Sequence, residues 1–579
     1  MASLPISLFV SVILLLTSTV FAATVEHTLN VGEQRFRRVC GEQVKTVANG
    51  SLPGPTISVR EGDTLVVHVL NNSPYGITIH WHGVFQLFSA WADGAGYVTQ
   101  CPIPPKSSYT YRFSVTGQEG TLWWHAHIST IRETLHGALV IRPRLGRSYP
   151  FPKPYKEVPI ILGEWYNANV VDLEETLIKS GGSQVLSDAL TINGQPGDLY
   201  PCSKNNIFKM DVVQGKTYLL RIISAVMNDH LFFKIAQHTF TVVGADARYI
   251  EPYKTDVIVI APGQTVDALF TANQPPGSYY MAARAYSPTP PLLFANGTIT
   301  ATIRYNGALR SSTPLMPILP GTRDVETAHR FYSNLTSLTT NPHWLPVPTK
   351  VDEKMFIAFG MGLAQCGENN ATCANRVGSQ YRFASNMNNI SFELPTTISM
   401  LEAYHKGMKG IYTEDFPDRP LVEFDYTNPK LGLTFPNPNP TPILPFITIG
   451  KKETRVKRLK YNSVVEIVLQ NTAVLAAENH PMHFHGFDFY VLAQGFGNYD
   501  PVTGPMKFNL VNPQLRNTIG VPMGGWAVIR FIANNPGMWF AHCHRETHVP
   551  WGMDMAFLIE NGPTPSTSLP PPPRDLPSC

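Results

Sequence analysis

The tripeptide His542-Cys543-His544, followed by His548 and Met553, carries the most specific chemical signal in the sequence. In an extended strand, neighbouring side chains point to opposite faces, so residues i and i+2 share a face. His542 and His544 are therefore expected on one face and Cys543 on the other. A cysteine thiolate with histidines and a weak axial methionine is the ligand set of a blue-copper electron-transfer site. We predict such a site on the cysteine face and a different metal centre on the histidine face.

Three further segments repeat the i, i+2 spacing: His80-Trp81-His82, His125-Ala126-His127 and His483-Phe484-His485, with His480 just before the last. Together the four places hold 10 of the 18 histidines. One such pair alone is more often a core or surface feature than a pair of ligands. Four of them, one with a cysteine, favour metal binding, because metal sites collect histidine and cysteine.

The number of ligands matches four copper ions. Cys543, His480 and His548 fill a trigonal site, with Met553 as the weak axial ligand. Eight histidines remain, which suffice for three imidazoles on each of two ions and two on a third, with positions left open for dioxygen and water. Because these histidines come from both ends of the chain, the cluster is expected at the interface of the first and last domains.

The chain resembles the multicopper oxidases, and within them the plant laccases, over nearly its whole length. The four histidine segments carry the resemblance, together with these landmarks: Val47-Ala48-Asn49-Gly50, Pro53-Gly54-Pro55, Ala92-Asp93-Gly94, Gln100-Cys101-Pro102, Leu190, Asn193-Gly194, Tyr218, Arg221, Ala261-Pro262-Gly263-Gln264, Phe424-Asp425-Tyr426 and the terminal Cys579. The resemblance implies that a type 2 copper is bound by His80 and His483. It implies that a type 3 pair is bound by His82, His125, His127, His485, His542 and His544.

Three segments with alternating β-branched and apolar residues predict an all-β protein made of β-sandwich units. They are residues 64–72, 217–224 and 463–471. We predict three cupredoxin-like domains, at residues 24–150, 155–310 and 311–579, the last including a linker. Copper ligands occur in the first and third of these, and the second acts as a spacer.

Residues 1–22 read as a secretory signal peptide, because an apolar run too short to span a membrane ends in small residues. With no second long apolar segment, we expect a secreted, extracellular protein of the plant cell wall. The net charge of +3 is too mild to indicate nucleic-acid binding, although weak attraction to anionic cell-wall polysaccharide is compatible with it. We expect a monomer without membrane attachment.

The seven cysteines make an odd number, which Cys543 explains as a metal ligand. The other six allow 15 pairings, and the short spacing of Cys366 and Cys373 favours a local loop. The resemblance implies the bridges Cys101–Cys579 and Cys40–Cys202. Six glycosylation sequons suit a secreted glycoprotein: Asn49, Asn71, Asn296, Asn334, Asn370 and Asn389.

The expected reaction is that of a laccase: one-electron oxidation of phenols at the type 1 copper, coupled to reduction of dioxygen to two waters at the trinuclear cluster. Monolignols, flavonoids and other diphenols are the candidate donors, with lignin formation or phenol polymerisation and detoxification as the setting. We expect donors to reach an exposed edge of His480 or His548. Asp93, which matches the family acid near the cluster, and Glu546, between Cys543 and His548, are the candidates for proton delivery.

Two other interpretations share part of this pattern. An ascorbate-oxidase-like enzyme has the same copper ligands, and Met553 favours it slightly, because plant laccases usually have leucine at this position. A thioether ligand stabilises Cu(II), so we expect a medium-to-low potential. A catalytically silent cupredoxin-repeat protein would lack several ligands, whereas this chain keeps ten histidines and Cys543.

Overall fold

The computed structural model describes residues 22–182, 184–287, 297–309, 313–366, 381–428, 448–449, 452–475 and 478–579. Nearly all of the predicted signal peptide lies outside these residues. The chain forms three consecutive β-sandwich units, so the predicted all-β cupredoxin-like fold is confirmed. The domain boundaries stay a prediction.

The first unit pairs two four-stranded sheets, ordered β2-β1-β4-β6 and β3-β8-β7-β5. Its strands are β1 Thr24–Arg38, β2 Gly41–Ala48, β3 Ile57–Arg60, β4 Thr64–Asn71, β5 Ile79–His82, β6 Ser108–Ser114, β7 Gly120–Ala126 and β8 His136–Arg142. The alternating residues of β4 place Leu65, Val67 and Val69 in the core between the sheets.

The second unit pairs a six-stranded sheet, β10-β9-β12-β17-β14-β15, with a five-stranded sheet, β11-β19-β18-β13-β16. Its strands are β9 Lys156–Trp165, β10 Ala189–Ile192, β11 Lys209–Val212, β12 Thr217–Ser224, β13 His230–Ile235, β14 Phe240–Ala245, β15 Arg248–Thr255, β16 Ile258–Ile260, β17 Thr265–Thr271, β18 Ser278–Tyr286 and β19 Thr298–Tyr305. Helices α1 Val170–Ser180 and α2 Val325–Ser333 are associated with it. Ala328, Phe331 and Tyr332 of α2 belong to the core of this unit, although α2 falls within the predicted linker.

The third unit contains a large sheet, β21-β20-β24-β29-β26-β27 with β22 beside β20, and the five-stranded sheet β23-β31-β30-β25-β28. Its strands are β20 Glu353–Gln365, β21 Tyr381–Met387, β22 Thr448–Ile449, β23 Val456–Leu459, β24 Val464–Asn471, β25 His480–Phe484, β26 Phe489–Phe496, β27 Leu515–Arg516, β28 Thr518–Val521, β29 Gly525–Ile532, β30 Gly537–Cys543 and β31 Asp554–Ile559. Helices α3 Met400–His405 and α4 His548–Trp551 complete it.

Two predicted disulfides are present, Cys40–Cys202 and Cys101–Cys579. The first joins the first unit to the second, and the second joins the first unit to the C-terminus. Trp91 adds a contact to the C-terminal segment, since its Nε1 donates to the carbonyl of Pro570 at 2.8 Å. The predicted Cys366–Cys373 bridge involves Cys373, which lies outside the described residues.

The predicted sequons differ in their surroundings. The Asn71 side chain is buried, and its Nδ2 donates to the carbonyls of Tyr75 and Ile103 at 2.7 and 2.8 Å. This amide has no room for a glycan in the folded protein. Asn49 and Asn334 are exposed and Asn389 is half-buried, whereas Asn296 and Asn370 lie outside the described residues. No helix in the described part of the chain is long and apolar enough to cross a membrane.

Candidate metal centres

The Cys543 thiol lies at the end of β30, beside two imidazoles. Its Sγ is 3.5 Å from His480 Nδ1 and 3.3 Å from His548 Nδ1. His480 begins β25, which pairs with β30 in antiparallel register, and His548 begins α4 five residues after the cysteine. All three side chains are fully buried. The arrangement provides a trigonal set of one sulfur and two nitrogens.

Met553 lies next to this trio. The Cys543 amide donates to the Met553 carbonyl at 3.1 Å, and the Met553 amide donates to the His548 carbonyl at 3.0 Å. Its side chain is fully buried and packs in the core of the third unit. The turn between α4 and β31 therefore holds the predicted axial residue beside two of the three proposed ligands.

The expected exposed edge of His480 or His548 is absent, and this prediction was wrong. Both rings have 0% of their surface exposed. Glu478 covers one of them, because its Oε2 lies 3.3 Å from His548 Nε2 and 3.3 Å from Arg545 Nε. Burial favours the neutral acid, but the charges of Arg545 and His548 outweigh it and lower the pKa of Glu478. A donor must therefore transfer its electron across residues that cover the imidazoles.

Two antiparallel strand pairs bring the other eight histidines together. In the first unit, β5 pairs with β7 so that His80 is opposite His125. In the third unit, β25 pairs with β30 so that His483 is opposite His542. Each of the remaining four histidines follows one of these by two residues in the sequence. Both faces of these strands are buried, because the strand pair of the first unit packs against the strand pair of the third.

The eight histidines fall into three groups with donor atoms within 4.8 Å of one another. Two groups of three combine residues from both units: His82, His125, His544 and His127, His485, His542. The third contains His80 and His483, with His82 nearby. The Cys543 side chain points away from all of them, toward His480 and His548. The alternation of side chains along an extended strand therefore directs the cysteine side chain away from those of His542 and His544.

The spacing of the ring nitrogens fits shared metal ions. The Nε2 atoms of His80 and His483 are 3.4 Å apart, and those of His485 and His542 are 3.3 Å apart. His125 Nε2 is 3.4 Å from His82 Nδ1. Two imidazole nitrogens about 2.0–2.1 Å from one ion, at a tetrahedral angle, are separated by roughly this distance.

The opposite ring nitrogens are held by the protein. Nδ1–H groups donate to the carbonyls of Asp93, Ala126, Asn517 and Cys543 at 2.8–3.0 Å, from His80, His125, His483 and His542 respectively. Such contacts fix the orientation of the ring and leave Nε2 free for a metal.

The protonation of these groups also fits copper. Burial lowers the pKa of the histidines, which keeps them in the neutral, metal-binding form: His82, His125, His127, His480, His483, His485, His542, His544 and His548. Burial raises the pKa of the Cys543 thiol. A thiolate at that position needs a bound cation, since a metal is what deprotonates a coordinating thiol. Neutral imidazoles with one buried thiol form a donor set suited to copper.

Asp93 contacts histidines of both the first and the third unit. It follows the short helical turn Ala90–Ala92 and is fully buried. Its Oδ2 lies 2.9 Å from His485 Nδ1, and its backbone carbonyl accepts from His80. The structure thus places this carboxylate against the histidine cluster, in a position to orient two rings.

Glu546 lies on the other side of the cluster and reaches it through an arginine. Arg132 Nε donates to Glu546 Oε2 at 2.6 Å, while Arg132 Nη1 lies 2.6 Å from His544 Nδ1. Arg132 was not predicted as a site residue. It follows His127 by five residues, and no ligand pattern includes it, because a guanidinium has no lone pair to offer a metal.

Thr518 is a second residue that sequence reasoning missed. Its Oγ1 lies 3.0 Å from His82 Nε2 and 3.0 Å from His483 Nδ1, and the side chain is fully buried. One hydroxyl therefore contacts a histidine from each of the two units. No histidine or acid stands near it in the sequence to mark it.

Replacing Thr518 by valine is expected to weaken copper retention by the cluster about 10- to 100-fold, the usual cost of losing a group that orients metal ligands. Valine keeps the shape but removes both hydrogen bonds. Copper per chain should be measured after dialysis against a graded chelator. Thr518→Ser keeps the hydroxyl and should behave like the natural protein. Equal copper retention in both variants would contradict this role.

The second unit also reaches the cluster. Gly263 has φ +89°, and a Cβ there would lie 3.0 Å from His544 and 3.1 Å from His82. Its carbonyl accepts from Trp123 Nε1 at 3.1 Å. The second unit, predicted to be a spacer without copper ligands, therefore supplies a wall of the site.

Comparison with known proteins identifies the class. Multicopper oxidase models match residues 30–146, 156–308 and 415–563. Laccase-7 of Arabidopsis thaliana is 57% identical over 572 residues, covering 98% of each chain. Laccase-24 of Oryza sativa subsp. japonica is 52% identical, covering 98% of this chain and 97% of that protein. The crystal structure of a laccase from Botrytis aclada matches with a TM-score of 0.71 at 27% identity, covering 95% of this chain and 89% of that one. The chain belongs to the multicopper oxidase family, and within it to the plant laccases.

The family membership makes this protein a copper-binding oxidoreductase.

Proposed function

We propose that this protein oxidises phenols by single electrons and uses four such electrons to reduce dioxygen to two waters. One observation carries the proposal: the Cys543 side chain faces His480 and His548, while its two neighbours in the chain face the eight-histidine cluster. Two metal centres are thereby joined by a few covalent bonds. Such a link suits an enzyme that collects electrons at one place and uses them at another.

The proposed ligand assignment follows the observed groups. Cys543, His480 and His548 would hold a type 1 copper, with Met553 as a further, weaker ligand. His80 and His483 hold a type 2 copper. The two groups of three hold a type 3 pair: His82, His125, His544 and His127, His485, His542. When bound, the type 1 ion supplies one-electron oxidation, and the other three supply the four-electron reduction of dioxygen.

The chain itself orients ligands, excludes water and supplies protons. Asp93 and Thr518 hold imidazoles in place, and the burial of Cys543 keeps the thiolate dry. We assign proton transfer to Asp93 and Glu546, since each carboxylate lies against the cluster or one arginine away from it. Donors bind at the surface covering His548, where Glu478 lies, because neither ring edge is open to solvent.

Steady-state oxygen uptake with a simple diphenol and with ascorbate tests the proposal. We expect the diphenol to be the better substrate by kcat/KM, with one dioxygen consumed per four electrons. A strong preference for ascorbate would favour the ascorbate-oxidase-like alternative, which Met553 makes worth testing. Copper-loaded protein with no blue absorbance and no oxygen uptake would indicate a silent cupredoxin-repeat protein.

The side chain at position 553 contributes to the reduction potential of the proposed type 1 copper, and so to the driving force for oxidation of the donor. Met553→Leu is expected to raise the reduction potential of the type 1 copper, because the thioether stabilises the oxidised ion and leucine does not. Redox titration of the blue absorbance measures the change. Met555→Leu, two residues on and also buried in the same core, serves as the control and should leave the potential unchanged. An unchanged or lower potential in Met553→Leu would refute the assignment.

We further propose that the protein is secreted to the plant cell wall after removal of residues 1–22, and that it acts as a monomer on monolignols, flavonoids or related phenols. The exposed sequons at Asn49 and Asn334 are the described positions that suit glycosylation.

A further inference from the structure

A cavity of about 470 Å³ leads to the histidine cluster. Its inner end is lined by His125, His127, His542 and His544. Helix α1 of the second unit forms part of its outer wall and contributes Glu174 and Glu175. The cavity thus connects a carboxylate of one unit to ligands supplied by the other two.

The reaction requires protons at the inner end. Reduction of one dioxygen to two waters consumes four electrons and four protons. Four phenols release the same number of each at the other metal centre, so the whole reaction balances: four phenols and one dioxygen give four phenoxyl radicals and two waters. The protons released by the phenols leave at the donor site, and an equal number must enter at the cluster.

Glu174 lies where such protons would enter. Its Oε2 accepts from the Ser129 hydroxyl and, at 3.1 Å, from the Thr130 amide. The Thr130 hydroxyl in turn donates to the carbonyl of Val170 at 2.8 Å, which ties the helix to this segment. Ser129 and Thr130 follow the ligand His127 by two and three residues. The carboxylate is half-buried and borders both solvent and cavity.

We propose that Glu174 takes up protons from solvent and passes them into this cavity for the reduction of dioxygen. The inference rests on the proposed function and adds a residue to it. Each transfer moves one proton from water to the carboxylate and then from the carboxyl to water in the cavity, so Glu174 is regenerated each time.

The charge environment supports a carboxyl that exchanges protons near neutrality. Burial raises the pKa of Glu174 to about 7, the hydrogen bond from Ser129 opposes this, and the negative charge of Glu546 adds to it. The charged groups near Glu174 on its own helix and on the facing segments and cavity walls are Asp172, Glu175, Lys179, Arg132, Glu133, Glu393, Lys452, Glu546 and Asp554. Arg132 is engaged by Glu546 and Glu133 by Lys45. No described ion pair fixes Glu174 in its charged form.

The test uses the copper-loaded enzyme and ferrocyanide, a one-electron donor that releases no proton, so that proton uptake is measured apart from phenol chemistry. Glu174→Gln keeps the shape and cannot exchange a proton. Glu175→Gln is the matched control, because Glu175 lines the same cavity from the same helix but has a side chain that is 59% exposed and paired with Lys179. Copper content and the type 1 potential are measured for each variant.

We expect Glu174→Gln to lower kcat about a hundredfold at pH 6, at the lower end of the range of general acid catalysis, with an increased solvent deuterium isotope effect. The natural enzyme should lose activity as the pH rises through about 7, because the carboxyl is then ionised and holds no proton to give. In Glu174→Gln this inflection should disappear, and the difference between the two enzymes should narrow above pH 7. Glu175→Gln should keep the inflection and the rate.

Unchanged rate and pH profile in Glu174→Gln, or equal losses in both glutamine variants, would overturn the proposal. If Glu174→Gln loses copper, Glu174→Asp decides: a retained inflection at restored copper content supports the relay, and an absent one overturns it. Failure of the proposed function itself is separate, since it would appear as absent oxygen uptake by the natural enzyme with diphenols.

Discussion

Replacing Cys543 by serine should abolish the blue absorbance and lower the rate of donor oxidation by at least about a thousand-fold, as expected for loss of one member of a unit that acts together. Serine fits the volume but removes the soft sulfur ligand. The cysteine Sγ lies 3.3 and 3.5 Å from the two imidazole nitrogens, so a metal between them loses its strongest ligand. Visible absorption, copper per chain and oxygen uptake measure the outcome.

The eight-histidine cluster should survive this substitution. The two cluster histidines beside Cys543, His542 and His544, face the side of the chain opposite to the sulfur. We therefore expect copper to fall from four to three ions per chain. Met555→Leu is the control for disturbance of the same core. Retained blue colour and turnover in the serine variant would show that electrons enter elsewhere, and the proposed type 1 site would have to be abandoned.

Replacing Gly263 by alanine should disrupt the cluster from the second unit. The added methyl would lie 3.0 Å from His544 and 3.1 Å from His82, both buried and held by other contacts. Such overpacking costs about 1–3 kcal/mol, because both rings must shift by a few tenths of an ångström. Since a displacement of about an ångström lowers rates roughly a hundred-fold, we expect this smaller shift to lower oxygen uptake by up to about ten-fold, with loss of cluster copper and retention of the blue absorbance.

Gly307→Ala is a closely matched control. Gly307 has φ +87° against +89° for Gly263, so both substitutions carry the same backbone strain. No atom lies within 4 Å of a Cβ at position 307. The difference between the variants therefore isolates the contact with the histidines. Equal activity and copper content in the two variants would mean that the cluster tolerates displacement of His544 and His82.

Much of the site follows from local periodicity. The i, i+2 spacing of the histidines and the position of Cys543 between two of them are properties of an extended chain, and they place the side chains without knowledge of the fold. The β-sandwich class also follows from the alternating segments. The spacing of distant cysteines does not show which of them pair. The bridges Cys40–Cys202 and Cys101–Cys579 are therefore predicted from the family resemblance alone.

The residues that sequence reasoning missed share one property: their contacts cross between units. Thr518 contacts histidines of the first and third units, Arg132 of the first unit contacts Glu546 of the third, and Gly263 of the second unit lies against His544 and His82. The covering of His548 by Glu478 was missed for a related reason, since burial depends on everything packed around a ring.

The sequence by itself determined which side chains are candidate metal ligands and on which side of a strand each one faces, because a strand has a period of two residues and needs no partner to express it. Only the tertiary structure decided how the eight histidines divide into three groups and which neighbouring side chains and carbonyls orient them. It also decided how electron donors and protons can approach the two centres. Those properties depend on distances between residues as far apart as His80 and His483, and such distances exist only once the three units have packed together.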